Sequence, residues 1–135
     1  MTKKELCNLA IKSMENAYAP YSGYKVGAAL LTKAGKVFTG CNIENASYTP
    51  TVCAERTAIF KAVSEGERNF TMIAVAGGKN GYISGEFPPC GVCRQVLSEF
   101  CDGNFTVLAV NGENSYKEYK LSDLLPCSFN SDNLK

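Results

Sequence analysis

The spacing of apolar residues at the start of the chain predicts an amphipathic helix from Thr2 to Ala17. Thr2 followed three positions later by Glu5 is typical of a capping box, in which each side chain accepts a hydrogen bond from the other residue's backbone. Pro20 and Gly23 then predict that the helix ends in a short tyrosine-rich loop. The apolar positions of this helix are Leu6, Leu9, Ala10, Met14 and Ala17.

Four apolar runs predict strands. Residues 26–31 and 36–43 predict a hairpin that turns at Ala34-Gly35. Residues 70–76 and 105–110 are typical of buried strands, and between them lie a loop from Gly77 to Pro89 and a helix with one apolar stripe. A strand, a helix and a strand in this order predict a parallel pair with a right-handed crossover. The stripe consists of Cys93, Val96, Leu97, Phe100 and Cys101.

Further helices complete the predicted architecture. Thr49 and Pro50 predict the N-cap and the first residue of a helix that Gly66 ends, and a short helix is expected near Ser122 to Leu125. Together the elements predict an α/β fold, a three-layer α/β/α sandwich around a mixed, roughly five-stranded sheet. The length of 135 residues fits a single domain over residues 1–135.

Charged residues are nearly balanced, with 14 Lys and Arg against 13 Asp and Glu, and they form no basic cluster. We therefore expect no nucleic acid polymer as a partner, because binding to phosphates needs clustered cations. No apolar run approaches the roughly 20 residues of a membrane helix, and the N-terminus lacks the apolar stretch of a signal peptide. No membrane partner and a cytoplasmic location are expected.

The chain has seven cysteines and no histidine. An odd number of cysteines without a secretion signal indicates reduced thiols, so metal binding or catalysis is favoured over disulfides. The absence of histidine excludes Ser-His and Cys-His nucleophilic mechanisms as well as zinc sites that need an imidazole. Any metal site must therefore use thiolates and carboxylates.

Three cysteines are candidate metal ligands. Cys53 and the pair Cys90 and Cys93 fall near the beginnings of two predicted helices, where unpaired N–H groups and the helix dipole stabilise thiolates. Three protein ligands and an open position are typical of catalytic zinc, whereas structural zinc usually takes four. A Cys-x-x-Cys pair alone also serves redox and structural sites, so the third cysteine strengthens the hypothesis of catalytic zinc.

The sequence Cys53-Ala54-Glu55, followed later by Cys90-x-x-Cys93, matches the signature of zinc deaminases. With four further matching stretches, the chain resembles the cytidine deaminase family in its small homotetrameric, three-cysteine form, from about Leu6 to Phe129. The resemblance implies one Zn²⁺ per subunit and hydrolysis of the nucleosides cytidine and 2′-deoxycytidine to uridine and 2′-deoxyuridine with release of ammonia, a step of pyrimidine salvage. The four stretches are Ala19–Ser22, Val26–Ala29, Gly40–Asn45 and Leu124–Pro126.

Glu55 is the candidate catalytic residue. Deamination requires a water to attack C4 of cytosine, and a zinc ion lowers the pKa of such a water. Ring N3 and the departing amine must each receive a proton, and one carboxylate close to the metal can carry both. Glu55 lies two residues beyond Cys53. The alternative is an ordinary first-turn glutamate that the helix dipole favours.

Arg56 can donate hydrogen bonds to thiolate sulfur and so offset the net negative charge of three thiolates on one Zn²⁺. The resemblance supports this role, and a solvated surface arginine is the alternative. Asn42 and Glu44 alternate with Ile43 at a predicted strand end, so their side chains are expected on one face. The resemblance implies that both hold the ribose; an ordinary strand-end turn is the alternative.

The resemblance also assigns substrate contacts to Ala54 and to Tyr24, which stands where the family usually has a phenylalanine against the base. A core-packing Tyr24 is the alternative. Tyr48 and Phe129 match residues that complete the pockets of neighbouring chains in the homotetramer. The remaining thiols are expected to be small apolar core residues, and these are Cys7, Cys41, Cys101 and Cys127.

Three other functions stay open. A deaminase of a cytosine-containing antibiotic such as blasticidin S shares the zinc ligands and Glu55 but is not expected to keep Asn42 and Glu44. A polynucleotide-editing deaminase is disfavoured by the short chain and the balanced charge. A non-catalytic structural zinc module needs a fourth protein ligand, for which Cys41 is the only candidate sulfur near these elements.

Overall fold

The computed structural model describes all residues from Met1 to Lys135 and contains five strands, four α-helices and two 3₁₀ turns. In chain order the elements are α1 (Lys3–Ser13), a 3₁₀ turn (Met14–Asn16), β1 (Tyr24–Thr32), β2 (Val37–Cys41), α2 (Ala54–Ser64), β3 (Phe70–Lys79), α3 (Gly91–Phe100), β4 (Thr106–Gly112), β5 (Ser115–Lys120), α4 (Leu121–Leu124) and a second 3₁₀ turn (Ser131–Leu134).

One mixed sheet forms the centre of the molecule, with the strand order β2-β1-β3-β4-β5. β1 lies antiparallel to both β2 and β3, while β5 returns antiparallel to β4. β3 and β4 are parallel, and α3 makes the crossover between them. The structure thus confirms the mixed α/β sheet that the sequence predicts.

Two apolar clusters cover the two faces of the sheet, since successive residues of β1 alternate between them. The first cluster joins α2 and α3 to the sheet through residues such as Ile59 and Leu97. The second packs α1 against the opposite face through Leu6 and Ala10. Helices therefore lie on both faces, and the predicted three-layer sandwich is confirmed.

The first helix begins with the predicted capping box. The Glu5 N–H donates to Thr2 Oγ1 over 3.1 Å, and the Thr2 N–H donates to Glu5 Oε1 over 3.2 Å. α1 ends at Ser13 and the 3₁₀ turn continues to Asn16, so helical structure covers nearly the whole predicted range. None of the helices combines the length and the apolar character needed to cross a membrane.

The predicted start of α2 at Thr49 and Pro50 is wrong, because the helix begins at Ala54 with Cys53 as its N-cap. Val52 pairs antiparallel with Ile43 through two backbone hydrogen bonds of 3.0 Å, so the chain stays extended up to the cap. Pro50 lies in the turn that precedes this pair. The late start puts Cys53 at the helix end itself, and its sulfur caps no backbone N–H.

The loop predicted from residue 77 is also shorter than expected, because β3 runs on to Lys79. Gly77 and Gly78 pair with β1, and both positions require glycine. A Cβ on Gly77 would lie 2.8 Å from Cγ of Phe87, and one on Gly78 would collide with the carbonyl oxygen of Tyr82. Glycine therefore lets the following loop fold back onto the end of the strand.

The edge strand β5 has no counterpart among the strands that the apolar runs predict. It follows β4 after a tight turn, in which Asn114 has a φ of 57°. Its two half-buried tyrosines, Tyr116 and Tyr119, lie among exposed charged residues, which suits an edge strand. Cys127 departs from its expected core position, because it is exposed in a turn with a φ of 52°. Cys7 is buried as expected.

Candidate active site

The three predicted ligands come together where the N-termini of α2 and α3 meet. Cys53 is the N-cap of α2, Cys90 is the N-cap of α3, and Cys93 lies in the first turn of α3. All three sulfur atoms lie within 4.8 Å of one another, and the sulfurs of Cys53 and Cys90 are 3.7 Å apart. The sulfurs therefore lie at the positive dipole ends of two helices, which favours thiolates.

This donor set fits a zinc ion. Tetrahedral zinc with Zn–S bonds of about 2.3 Å separates its sulfur ligands by about 3.8 Å, which matches the observed spacing of Cys53 and Cys90. No other set of three or more Cys, Asp or Glu side chains in the chain lies close enough together to hold one metal ion. Cys41 is not part of the cluster. The site therefore offers three protein ligands and leaves the fourth position free, as catalytic zinc requires.

Arg56 supports the thiolate of Cys53. Its Nη2 donates to the Cys53 sulfur over 3.2 Å. Hydrogen bonding by Cys93, Arg56 and Cys90 lowers the pKa of Cys53, although burial opposes the shift. Arg56 is half-buried, and its Nε is buried without a partner in the chain. A guanidinium turned inward to a sulfur cluster disagrees with the alternative of a solvated surface arginine.

Glu55 is buried beside the sulfur cluster, with only 3% of its surface exposed. Burial raises the pKa of its carboxyl group to about 7, and the negative charge of Cys53 adds to the shift. A first-turn glutamate that serves only the helix dipole would be solvated, and its pKa would be lowered. A carboxyl group with a pKa near neutrality can both accept and release protons at the working pH of most enzymes.

Asn42 and Glu44 lie just beyond the end of β2, which stops at Cys41 before the predicted end at Ile43. Ile43 forms isolated bridges with Tyr18 and Val52, so the chain remains extended there. The side chain of Asn42 turns inward and is only 8% exposed, whereas Ile43 points outward.

The amide of Asn42 is held by the start of β1. Its Oδ1 accepts from the Val26 N–H over 2.9 Å, and its Nδ2 donates to the Tyr24 carbonyl over 2.7 Å. The carboxylate of Glu44 is held by the turn before β1: Oε1 accepts from the N–H groups of Tyr21 and Ser22 over 2.9 and 3.1 Å, and Oε2 accepts from the Ser22 hydroxyl. Hydrogen bonding from Ser22 lowers the pKa of Glu44.

After these contacts, Asn42 and Glu44 have few hydrogen-bonding positions left for a ligand. An amide has two donors and two lone pairs on its oxygen, and a carboxylate has about four acceptor positions. Asn42 therefore retains one donor on Nδ2 and one lone pair on Oδ1, and Glu44 retains one acceptor position on Oε2. A hydroxyl group both donates and accepts, so a ligand hydroxyl can satisfy both residues at once.

The other predicted substrate residues differ in exposure. Ala54 is fully buried as the first residue of α2. Tyr24 is 43% exposed, with its ring centroid 6.1 Å from that of Phe87, so it does not pack wholly in the core. Tyr48 is 70% exposed and shares a cavity of about 330 Å³ with Glu44. Phe129 is 60% exposed, and its carbonyl accepts from Nε2 of Gln95.

Sequence reasoning missed Ser22 and Arg94 as individual residues. Ser22 lies in a stretch that carries the family resemblance, but its link to Glu44 joins residues 22 positions apart. Arg94 follows directly on Cys93, and only its two carbonyl contacts reveal what it does. Two cavities of about 380 and 370 Å³ lie elsewhere, and none of the predicted site residues lines them.

Three clustered thiols with a free fourth position and a buried carboxyl group define a zinc protein of catalytic type. The chain belongs to the cytidine and deoxycytidylate deaminase family, because the model of that family's zinc-binding region matches residues 1–109. The match and the three-cysteine cluster together confirm the predicted zinc ion, one per chain.

Similar proteins and a similar solved structure agree with the assignment to this family. A cytidine deaminase of Sporosarcina psychrophila is 48% identical over 123 residues, which cover 91% of this chain and 88% of that protein. The crystal structure of a cytidine deaminase from Burkholderia pseudomallei superposes with a TM-score of 0.88 at 46% identity, covering 96% of this chain and all of the other. A blasticidin-S deaminase of Bacillus cereus is 30% identical over 129 residues, covering 93% of this chain and 90% of that protein.

Proposed function

We propose that this protein is a cytidine deaminase, which hydrolyses cytidine and 2′-deoxycytidine to uridine and 2′-deoxyuridine and releases ammonia. The observation that carries this proposal is the buried carboxyl group of Glu55 beside the cluster of Cys53, Cys90 and Cys93. The named relatives at up to 48% identity support the same substrate. Salvage of pyrimidine nucleosides is the corresponding role.

The chemistry divides between the metal and Glu55. A bound zinc ion lowers the pKa of a water molecule and so supplies hydroxide near neutral pH. Glu55 takes a proton from the attacking water and delivers it to ring N3, which makes C4 electrophilic. It then takes the second water proton and delivers it to the 4-amino nitrogen. The new C4–O bond replaces the C4–N bond, and ammonia leaves as a neutral molecule.

Arg56 adjusts the charge of the centre. Three thiolates on one Zn²⁺ leave a net charge of −1, which by itself makes the bound water less acidic. The guanidinium of Arg56 donates to the Cys53 sulfur and draws electron density away from it. Its positive charge also lies close to the carboxyl group of Glu55 and acts to lower its pKa.

The nucleoside is held by residues on either side of the metal. Asn42 binds a ribose hydroxyl through its remaining N–H donor, and Glu44 binds it through its remaining acceptor position on Oε2. Tyr24 contacts the base with its partly exposed ring. Ala54 offers its backbone N–H, because a first-turn N–H has no acceptor within the helix.

The working unit in this proposal is a homotetramer of single-domain chains, in which Tyr48 and Phe129 complete the pockets of neighbouring chains. Both aromatic side chains are largely exposed in the single chain, which suits contact with another subunit. None of the seven cysteines forms a disulfide, which suits the reducing cytoplasm.

A substrate panel tests the proposal. The zinc-loaded protein is incubated separately with cytidine, 2′-deoxycytidine and blasticidin S, and loss of the cytosine chromophore and release of ammonia are followed. We expect conversion of the first two and no conversion of the third, because Asn42 and Glu44 suit a ribose. Conversion of blasticidin S alone would identify the antibiotic deaminase instead. No ammonia from any of them would favour the structural zinc module.

A further inference from the structure

The loop between β3 and α3 has to place the ligand Cys90, yet it has little structure of its own. The backbone of residues 83–89 makes no hydrogen bond to any other backbone group. Cys90 itself is the exposed member of the three ligands. The position of this sulfur therefore depends on α3, whose N-cap is Cys90, and on the side chains that hold the preceding loop.

The side chain of Ile83 packs against the core and that of Pro89 is fully buried, and three further side-chain contacts hold the loop. The ring of Phe87 packs against Gly77 at the end of β3. The hydroxyl of Tyr119 on β5 donates to the carboxylate of Glu86. The third contact lies closest to the ligand, because Nε of Arg94 donates to the carbonyl of Pro89 over 2.7 Å. Pro89 directly precedes Cys90, so this bond fixes the peptide group that leads into the ligand.

The same guanidinium also holds the end of the chain. Nη1 of Arg94 donates over 2.8 Å to the carbonyl of Leu124, at the end of α4. Arg94 is half-buried and forms no salt bridge, so both of these contacts are to neutral carbonyl groups. The planar guanidinium presents several donors in fixed directions, which suits a bridge between two carbonyls. We call residues 121–135 the C-terminal segment.

We propose that Arg94 is a positioning residue of the zinc site, which fastens the Cys90 loop to the C-terminal segment and thereby sets how firmly zinc is retained. A metal ligand leaves the ion when its backbone moves away. Without the bond to Pro89, the carbonyl before Cys90 loses its hydrogen bond. The loop is then restrained by the contact at Glu86 and by the packing of Ile83, Phe87 and Pro89. The C-terminal segment is, in this view, part of the support of the metal site.

Gln95 offers a matched control. It is the neighbour of Arg94 on α3, and its Nε2 donates over 2.8 Å to the carbonyl of Phe129 in the same C-terminal segment. Gln95 makes no hydrogen bond to the Cys90 loop. Replacing it loosens the C-terminal segment in a similar way but leaves the loop bond intact.

The experiment measures zinc transfer from the loaded protein to a chromogenic chelator, without any nucleoside. We compare Arg94→Ala, Arg94→Lys and Gln95→Ala with the unchanged protein. Loss of a residue that orients a metal ligand typically weakens binding 10–100-fold, so we expect Arg94→Ala to release zinc about 10-fold faster or more. Arg94→Lys, which can reach one carbonyl at a time, is expected to give an intermediate rate. Gln95→Ala is expected to stay within about twofold of the unchanged protein.

Two outcomes would overturn the inference. One is a wild-type release rate in a folded Arg94→Ala protein, or in Arg94→Lys if the alanine variant does not fold. The other is equal acceleration by Gln95→Ala, which would point to general loosening of the C-terminal segment. Because the measurement contains no substrate, its outcome is independent of whether the protein deaminates cytidine.

Discussion

The carboxylate of Glu44 is held in place by hydrogen bonds from neighbouring residues. It receives three hydrogen bonds from one turn, and Ser22 contributes two of them, through its N–H and its hydroxyl. The Ser22 oxygen also accepts from the Tyr24 N–H over 3.0 Å, which links this turn to the strand that holds Asn42. The carboxylate is thus fixed and ionised at neutral pH, because hydrogen bonding from Ser22 lowers its pKa.

Replacing Ser22 by alanine tests this arrangement. A hydrogen bond to a charged group contributes about 1.5 kcal/mol, so we expect Ser22→Ala to raise KM for cytidine about tenfold with little change in kcat. Ser64→Ala is the control, because its hydroxyl contacts only the Lys61 carbonyl at the far end of α2. Steady-state kinetics of both variants decide the question; an unchanged KM in Ser22→Ala would mean that Glu44 does not hold the substrate.

Between elements, the close approach of β2 and α2 sets the position of the helix that carries Cys53 and Glu55. A Cβ on Gly40 would lie 2.5 Å from the carbonyl oxygen of Ala54 and 2.6 Å from the backbone nitrogen of Ala58. Both atoms belong to the backbone of the first turns of α2, so no side-chain rotation can relieve the collision.

We therefore expect Gly40→Ala to lower the free energy of unfolding by about 1–3 kcal/mol or more, the usual cost of overpacking a core. Gly85→Ala is the matched control, because a Cβ at that position meets nothing within 4 Å. Urea unfolding of both zinc-loaded variants measures the difference. Equal stability of the two would contradict the close packing of α2 on β2.

Local sequence patterns predict α1, α3 and four of the strands because each of these elements has its own periodicity or apolar run. The start of α2 is predicted in the wrong place because Thr49 and Pro50 match the sequence pattern of a helix start. The backbone pairing of Ile43 with Val52, nine positions apart, overrides this pattern, and neither residue marks the pairing in the sequence. β5 escapes prediction because half-exposed tyrosines among charged residues do not resemble a buried strand.

The residues of the site also fall into those that a local sequence pattern predicts and those that it does not. The metal ligands and Glu55 follow a compact motif, since two helix starts bring them together. The hydrogen bonds of Ser22 and Arg94 to Glu44, Pro89 and Leu124 depend on the assembled tertiary structure. A local sequence pattern does not predict such contacts.

At the scale of the whole molecule, the proposed tetramer has a distinctive consequence. If each pocket combines Glu55 of one chain with Phe129 of another, two different defective chains can complement each other. In a mixed tetramer of Glu55→Gln and Phe129→Ala chains, some pockets combine an intact Glu55 with an intact Phe129. We expect mixed assemblies to be several times more active than the sum of the separate variants. Activity no greater than that sum would mean that each chain completes its own pocket.

The central claim is that Glu55 transfers the protons of a zinc-dependent deamination, and one measurement tests it most directly. Loss of the cytosine chromophore of cytidine is followed with the unchanged protein and with Glu55→Gln, alongside the zinc content of each. Glu65→Gln, an exposed carboxylate at the other end of α2, is the control.

We expect the unchanged protein and Glu65→Gln to convert cytidine. Glu55→Gln should keep its zinc and lose activity by a factor of about 10²–10⁴, the usual contribution of a general acid–base residue. Conversion by a zinc-loaded Glu55→Gln protein at close to the unchanged rate would contradict the account.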